Sequence, residues 1–112
     1  MEQYEKAMDE FIQAMKNSRV YREYREQEER LAMNPELMDR VRRFRGGVFE
    51  MQKNSDNAEM LSLAEEIQKE NIELRRIPEV NAYLDAELAL CKMIQKTMRR
   101  IIGSIEFDVP TM

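Results

Sequence analysis

Residues 78–105, PEVNAYLDAELALCKMIQKTMRRIIGSI, decide the fold, because they describe one long amphipathic helix that starts at a proline. Its seam repeats at four-and-three spacing and consists of Val80, Leu84, Glu87, Cys91, Ile94, Met98, Ile101 and Ile105. At 1.5 Å per residue such a helix is ~42 Å long, whereas a compact domain of this size has a radius of gyration of only ~13 Å. Because an overhanging apolar face needs cover, we expect either an elongated protein or an oligomer, and we favour a homodimer.

Apolar spacing predicts four more helices upstream, over about residues 2–16, 19–32, 35–51 and 56–76. Ser18 is expected to cap the second helix, and Asn34-Pro35 to cap and start the third. A loop is predicted at Lys53–Asn57, with Asp56 and Glu59 placed as a capping box at the start of the fourth helix. The fold class is therefore all-α. We predict one domain over residues 1–112, an antiparallel bundle of about five helices with a long C-terminal helix.

Gly46-Gly47 lies inside the third predicted helix and costs roughly 1 kcal/mol per glycine relative to alanine. One interpretation is that the helix ends at Arg45. The apolar seam keeps its phase across the pair, however, so we favour a continuous helix with a weak point or a close backbone contact at the glycines.

Composition argues against a catalytic or metal site. The chain of 112 residues has no histidine and one cysteine, Cys91. It therefore lacks the usual general base near neutral pH, the usual nitrogen ligand for zinc or iron, and any internal disulfide. We expect no enzyme activity and no cofactor, and the cytoplasm as the compartment.

Charge and hydropathy exclude two further classes of protein. The net charge of -4 and pI near 5.0 argue against wholesale nucleic-acid binding. The longest runs without a charge, such as residues 101–105, are far shorter than the ~18–20 apolar residues that a membrane span needs. We expect neither a membrane span nor a signal peptide.

The seam of the last helix is the first candidate site. We predict an oligomer or partner interface formed by Val80, Tyr83, Leu84, Glu87, Cys91, Ile94, Met98 and Ile101. Among these, Cys91 is predicted to be a buried, inert thiol, because its seam neighbours are apolar. Glu87 is expected to pair with an arginine of another helix, for which the candidates are Arg22, Arg25 and Arg42.

Two charged faces are the other candidates. Lys92, Lys96, Arg99 and Arg100, here called the basic stripe, share one face near the end of the last helix. They are either a solvated face that complements the helix dipole or a docking surface for an acidic partner or RNA. Glu66, Glu70 and Glu73 line one face of the fourth helix, either in solvent or opposite a basic stripe of a neighbouring subunit.

A set of helix boundaries and seam residues resembles the YlbF/YmcA family of small helical bacterial proteins, in particular its short, YheA-like members. These residues are Ser18-x-x-Tyr21-x-x-Tyr24, Asn34-Pro35 with Phe44 downstream, and Pro78-x-Val80-x-x-Tyr83-x-x-Ala86-Glu87, followed by the apolar run from Leu88 to Ile105. The resemblance covers nearly the whole chain and implies an all-α, commonly oligomeric, cytoplasmic protein of bacteria.

The resemblance also implies a regulatory role. YlbF and YmcA act with a third protein, YaaT, to modulate mRNA processing by RNase Y, and thereby competence, sporulation and biofilm formation. This chain departs from the family pattern at Ile77, where asparagine is usual, and it has no C-terminal cysteines of the kind found in iron–sulfur-associated members. No cluster ligand is therefore assigned to any residue.

Three hypotheses for function follow. The leading one is a non-enzymatic regulatory or adaptor protein that contacts YmcA-like, YaaT-like or ribonuclease partners through its helices. The second is an RNA-binding module that uses the basic stripe. The third is a purely structural homo-oligomer, in which a second copy covers the last helix completely.

Overall fold

The computed structural model describes residues 2–53 and 58–106, which form five α-helices and no strand. The helices are α1 (Gln3–Lys16), α2 (Arg19–Ala32), α3 (Pro35–Lys53), α4 (Ala58–Arg75) and α5 (Pro78–Ser104). The prediction of an all-α chain with a long last helix is confirmed. Of the predicted loop, Lys53 belongs to α3, and residues 54–57, including the Asp56 half of the capping box, lie outside the described residues.

Side-chain caps fix where α2 and α3 begin, as the sequence predicts. Ser18 Oγ accepts a hydrogen bond from the Tyr21 N–H at 3.2 Å, and Asn34 Oδ1 accepts one from the Leu37 N–H at 3.3 Å. Each bond satisfies a backbone donor that the first turn of a helix leaves without a partner. At the start of α5 the capping position is Ile77, whose side chain has no acceptor, so α5 begins without such a bond.

The chain divides into two compact units, residues 26–84 and residues 1–25 with 85–112. The unit of residues 26–84 contains nearly all of the buried apolar side chains. These are Leu31, Met38, Val41, Leu74, Val80, Tyr83 and Leu84. Fully burying a side chain of this size contributes about 1.5–3 kcal/mol, so the hydrophobic stabilisation of the described chain is concentrated in this unit.

Helices α3 and α4 form an antiparallel hairpin within that unit. Arg40 near the start of α3 contacts Glu70 near the end of α4, while Gly47 further along α3 approaches Ile67. Helix α3 runs unbroken through Gly46-Gly47, so the prediction of a continuous helix is confirmed and a helix end at Arg45 is excluded. A Cβ on Gly47 would make an ordinary contact at 3.6 Å with Ile67 Cγ1, and one on Gly46 would meet no atom within 4 Å, so neither glycine is required by a close backbone contact.

The other unit, here called the second unit, consists of α1, the start of α2 and α5 from Asp85 onward. Among its described residues only Ala86 is buried, and α1 has no buried residue at all. A unit with so small a core keeps its larger apolar side chains partly in contact with water.

Candidate interaction surface

The seam of α5 changes its surroundings along the helix. Val80 is fully buried, and Tyr83 and Leu84 are buried with it in the unit of residues 26–84. Glu87, the next seam residue, is half-buried. The first three residues of the predicted interface therefore pack inside their own chain, which leaves only its later residues available to another molecule.

From Cys91 onward the seam is exposed. We call its residues Cys91, Ile94, Met98, Ile101 and Ile105 the apolar stripe. The exposed fraction rises along it, from 40% at Ile94 to 53% at Ile101 and 66% at Ile105. Four large side chains on one helix face, each at least two-fifths exposed, form the kind of patch that marks an interaction site rather than a scattering of single residues.

Cys91 is exposed, so the prediction of a buried thiol is wrong for the chain by itself. The sequence argument assumed that apolar seam neighbours enclose the thiol. Leu84, two helical turns earlier, is buried, but Ile94 and Met98 on the other side are themselves exposed. Cys91 stands just past the point where α5 leaves the buried core.

Helix α1 presents a second row of exposed apolar side chains in the same unit. These are Tyr4, Met8, Phe11 and Ile12, which are 43–70% exposed. The four-and-three spacing of Tyr4, Met8 and Phe11 predicts that these residues share one face of α1, but it does not predict that this face is exposed to solvent. Ile12 lies four residues after Met8, and that spacing was the available signal for including it.

Helices α1 and α5 meet along one edge of the apolar stripe. Phe11 of α1 and Thr97, Ile101 and Ile105 of α5 line one open cavity of about 380 Å³. The hydroxyl of Thr97 donates to the Met93 carbonyl at 2.8 Å, so it is satisfied within α5. Helix α1 therefore partly covers this edge of α5.

The opposite edge of the stripe is lined by α5 alone. Gln95, Met98, Arg99 and Ile102 surround an open cavity of about 500 Å³. Its walls are mainly apolar, with the guanidinium of Arg99 at the border. This edge offers another helix a contact that the chain's own α1 does not make.

The basic stripe is fully available at the surface. Lys92, Lys96, Arg99 and Arg100 are all exposed, and none of them forms an ion pair with a residue that the structure describes. The stripe lies on the side of α5 away from the apolar stripe, and Arg99 and Arg100 reach its two edges. A partner that covers the apolar stripe will thus meet positive charge at the border.

The acidic face of α4 has a partner inside the chain. Arg40 of α3 pairs with Glu70 at 2.6 Å and with Glu73 at 3.1 Å. Two of the three carboxylates therefore tie the hairpin together, which neither of the two sequence interpretations anticipated. Glu66 is exposed and lines a cavity of about 360 Å³ between α3 and α4 with Phe44 and Gly47.

The described residues contain neither a candidate metal site nor a candidate membrane-spanning helix. Within residues 2–53 and 58–106, no three His, Cys, Asp or Glu side chains come together as a group that could hold a metal ion. None of the described helices is both long and apolar enough to cross a membrane. The expected pairing of Glu87 with an arginine stays a prediction.

Comparison with protein families gives one match. A family model described as control of competence regulator ComK, YlbF/YmcA, matches residues 4–106 of the 112-residue chain. Comparison with curated proteins and with solved structures gives no significant match. The matched range includes the whole unit of residues 26–84, most of the other unit and the whole of α5.

Proposed function

We propose that this chain, which belongs to the YlbF/YmcA family, is a non-enzymatic regulatory protein that acts through helix–helix contacts with other proteins. The family is one of competence regulators, which supports a regulatory role. The observation that carries the proposal is the apolar stripe of α5, where Ile94, Met98 and Ile101 remain 40–53% exposed. Covering such a row removes apolar surface from water, which favours association.

The resemblance to YlbF and YmcA suggests the process. We infer that the chain works in the cytoplasm with YmcA-like or YaaT-like proteins or with a ribonuclease, and that it modulates RNase Y-dependent mRNA processing. Competence, sporulation and biofilm formation would then respond through transcript levels. The proposal needs no cofactor, since the contacts are apolar and electrostatic.

A substitution in the apolar stripe tests the proposal in the bacterium that encodes the chain. The gene is deleted and restored as wild type, as Ile101→Glu, or as Ile72→Glu. Ile101 and Ile72 are matched controls for each other, because they are 53% and 48% exposed and lie on different helices, α5 and α4. Processing of RNase Y-dependent transcripts is measured by mapping RNA 5′ ends.

We expect Ile101→Glu to reproduce the deletion, because a carboxylate in the stripe would be desolvated by any covering helix. Ile72→Glu should restore normal processing. Processing that is unchanged by the deletion contradicts the proposed role in mRNA processing. Equal effects of the two substitutions at equal protein levels contradict the role of the apolar stripe.

We further propose that the chain is a homo-oligomer, with a dimer favoured. The second unit buries only Ala86 among its described residues, so its apolar side chains gain most from a second copy. Sedimentation equilibrium at several protein concentrations checks this directly, and a monomer at every concentration contradicts it.

RNA binding is the second candidate function, and the exposed, unpaired basic stripe favours it. Four cations on one face would bind phosphates with a strong dependence on salt. Fluorescence anisotropy of a labelled single-stranded RNA, titrated at low and at moderate salt, tests it. This function is excluded if the RNA does not bind at low salt, or if the double substitution Lys96→Glu with Arg100→Glu leaves the affinity for RNA unchanged.

A further inference from the structure

The two exposed helices of the second unit carry opposite, unpaired charges. Between Leu88 and Ile105 the chain has four cations and no acid, whereas its first ten residues contain Glu2, Glu5, Asp9 and Glu10 against a single lysine, Lys6. None of these side chains forms an ion pair with a described residue. Helix α1 is thus an acidic amphipathic helix, and α5 offers an apolar stripe bordered by cations.

We propose that α1 of one copy docks antiparallel along α5 of a second copy, with the acids of α1 against the basic stripe. The inference rests on the proposed function, because it takes the apolar stripe to be a protein-binding surface. It goes beyond that function by naming the occupant, a second copy's α1, and the register. Complementary charge is what selects this occupant, since it fixes register and partner in helix pairs.

Both helices have one edge free for such a contact. On α5 the side with Thr97 and Ile101 faces the chain's own Phe11, and the side with Met98 and Ile102 is open. On α1, Met8 and Ile12 lie on the other side of the apolar row from Phe11, and each is 43% exposed. In the docked pair, Ile12 packs beside Leu88 and Cys91 of the partner's α5, and Tyr4 packs beside its Met98.

The charges border these open sides in matching positions. Glu2, the N-cap of α1, precedes Asp9 by seven residues, and Lys92 and Arg99 are seven residues apart on α5. Seven residues correspond to ~10.5 Å along a helix. An antiparallel pair therefore places Glu2 opposite Arg99 and Asp9 opposite Lys92 at the same time.

The side of each helix on which its charged residues lie decides whether the two docked helices run parallel or antiparallel. When each helix is viewed down its axis from the N-terminus, Asp9 lies to one side of the apolar row of α1. Arg99 lies to the same side of the apolar row of α5. Two edges of the same sense meet only when the helices run antiparallel, as in antiparallel coiled coils. In this register Lys16 of α1 lies opposite Asp85 of α5, so like charges do not face each other.

The contact occurs twice in a symmetric dimer and closes a group of four helices. Each α5 has its own α1 on one edge and the partner's α1 on the other. The part of the apolar stripe from Cys91 to Met98 then lies between helices, and the second unit acquires part of the core that one copy lacks.

Two variants with reversed charges on opposite sides of the proposed contact test this docking, because mixing them should restore dimerisation. One variant carries Lys92→Glu with Arg99→Glu, and the other carries Glu2→Lys with Asp9→Lys. We expect each variant alone to dimerise at least about tenfold more weakly than wild type in sedimentation equilibrium. Mixed, the two should form a heterodimer of near wild-type affinity, because both of its α1–α5 contacts again join opposite charges.

A matched control separates docking from net charge. Arg19→Glu with Arg76→Glu makes the same change in net charge at exposed positions outside α1 and α5, and we expect it to leave the dimer unchanged. Helix content from circular dichroism confirms that every variant is folded. A wild-type monomer, reversal without loss of affinity, or mixing without rescue overturns the docking.

A covalent test does not depend on reversed charges. In the proposed register Ile12 lies within about half a helical turn of the partner's Cys91, so Ile12→Cys should give a disulfide-linked dimer on oxidation. Lys6→Cys, which is six residues earlier and about 120° around α1 from Ile12, should give none. A disulfide confined to one chain, or equal linkage at both positions, overturns the docking. A dimer broken by Ile101→Glu but indifferent to both reversals also overturns it, while the proposed function stands.

Discussion

The Nε of Arg40 lies 2.6 Å from Oε1 of Glu70, joining the second turn of α3 to the last turns of α4 across 30 residues of sequence. A second bond, from Arg40 Nη2 to Glu73 Oε2 at 3.1 Å, engages the same guanidinium. One arginine thus holds two carboxylates on successive turns of α4. This three-residue network fixes how the two helices are aligned at that end of the hairpin.

Removing Arg40 should lower the free energy of unfolding modestly. Arg40 and Glu70 are 36% and 35% exposed, so solvent screens the pair, and we expect Arg40→Met to cost about 1 kcal/mol. Urea denaturation measures the loss, and a double-mutant cycle with Glu70→Gln isolates the coupling, which should fall as salt rises.

Arg43→Met is the matched control for this substitution. Its ion pair with Asp39 lies within one helix and is 74% and 67% exposed, so we expect a loss below about 0.5 kcal/mol. Equal losses at the two arginines would show that the link between α3 and α4 contributes nothing of its own.

Local signals in the sequence account for most of the helix boundaries. Ser18 and Asn34-Pro35 mark the beginnings of α2 and α3, and Pro78 that of α5, because a cap needs only residues that are three positions apart. The continuity of α3 through Gly46-Gly47 also follows from its seam. These features depend on short-range backbone geometry, which the sequence contains in full.

Burial along α5 could not be predicted in the same way. Val80 and Ile101 occupy equivalent positions of one unbroken seam, yet the first is fully buried and the second is half exposed. The difference depends on which other helices pack beside each stretch, and periodicity has no information on that. The Arg40–Glu70 pair was missed for the same reason, since 30 residues separate its members.

Truncation in the core should separate buried from exposed leucines. Leu74 is completely buried in the unit of residues 26–84, and we expect Leu74→Ala to cost about 2–5 kcal/mol through lost burial and the cavity left behind. Leu61 on the same helix is 71% exposed, so Leu61→Ala should cost less than about 0.5 kcal/mol. Thermal or urea unfolding of the pair measures the difference, and comparable losses would contradict the assignment of the core.

Alanine at the glycine pair should stabilise the protein. Both glycines have ordinary helical backbone geometry, and a Cβ on Gly46 would meet no atom within 4 Å. We therefore expect Gly46→Ala to raise the free energy of unfolding by about 0.5–1 kcal/mol, since alanine loses less backbone entropy on folding.

The neighbouring glycine provides a comparison of side-chain size. Gly47→Ala should stabilise by a similar amount, because its Cβ would make an ordinary contact with Ile67 at 3.6 Å. Gly47→Leu should instead cost about 1–3 kcal/mol through crowding of α4, whereas Gly46→Leu should not. A stabilised Gly46→Ala variant that loses its regulatory activity would identify the pair as a hinge, and one that keeps it would identify a tolerated weak point.

The thiol of Cys91 should report directly on whether the apolar stripe is covered. Because Cys91 is exposed in the single chain, dilute native protein should react completely with a thiol reagent such as DTNB, at a rate close to that of the urea-unfolded chain. Raising the protein concentration should slow the reaction as a second copy covers the stripe, and Ile101→Glu should abolish that slowing. A thiol that is protected even in dilute, monomeric protein would contradict the exposed position of Cys91. Labelling that stays equally fast at every concentration would place the dimer contact elsewhere than on α5.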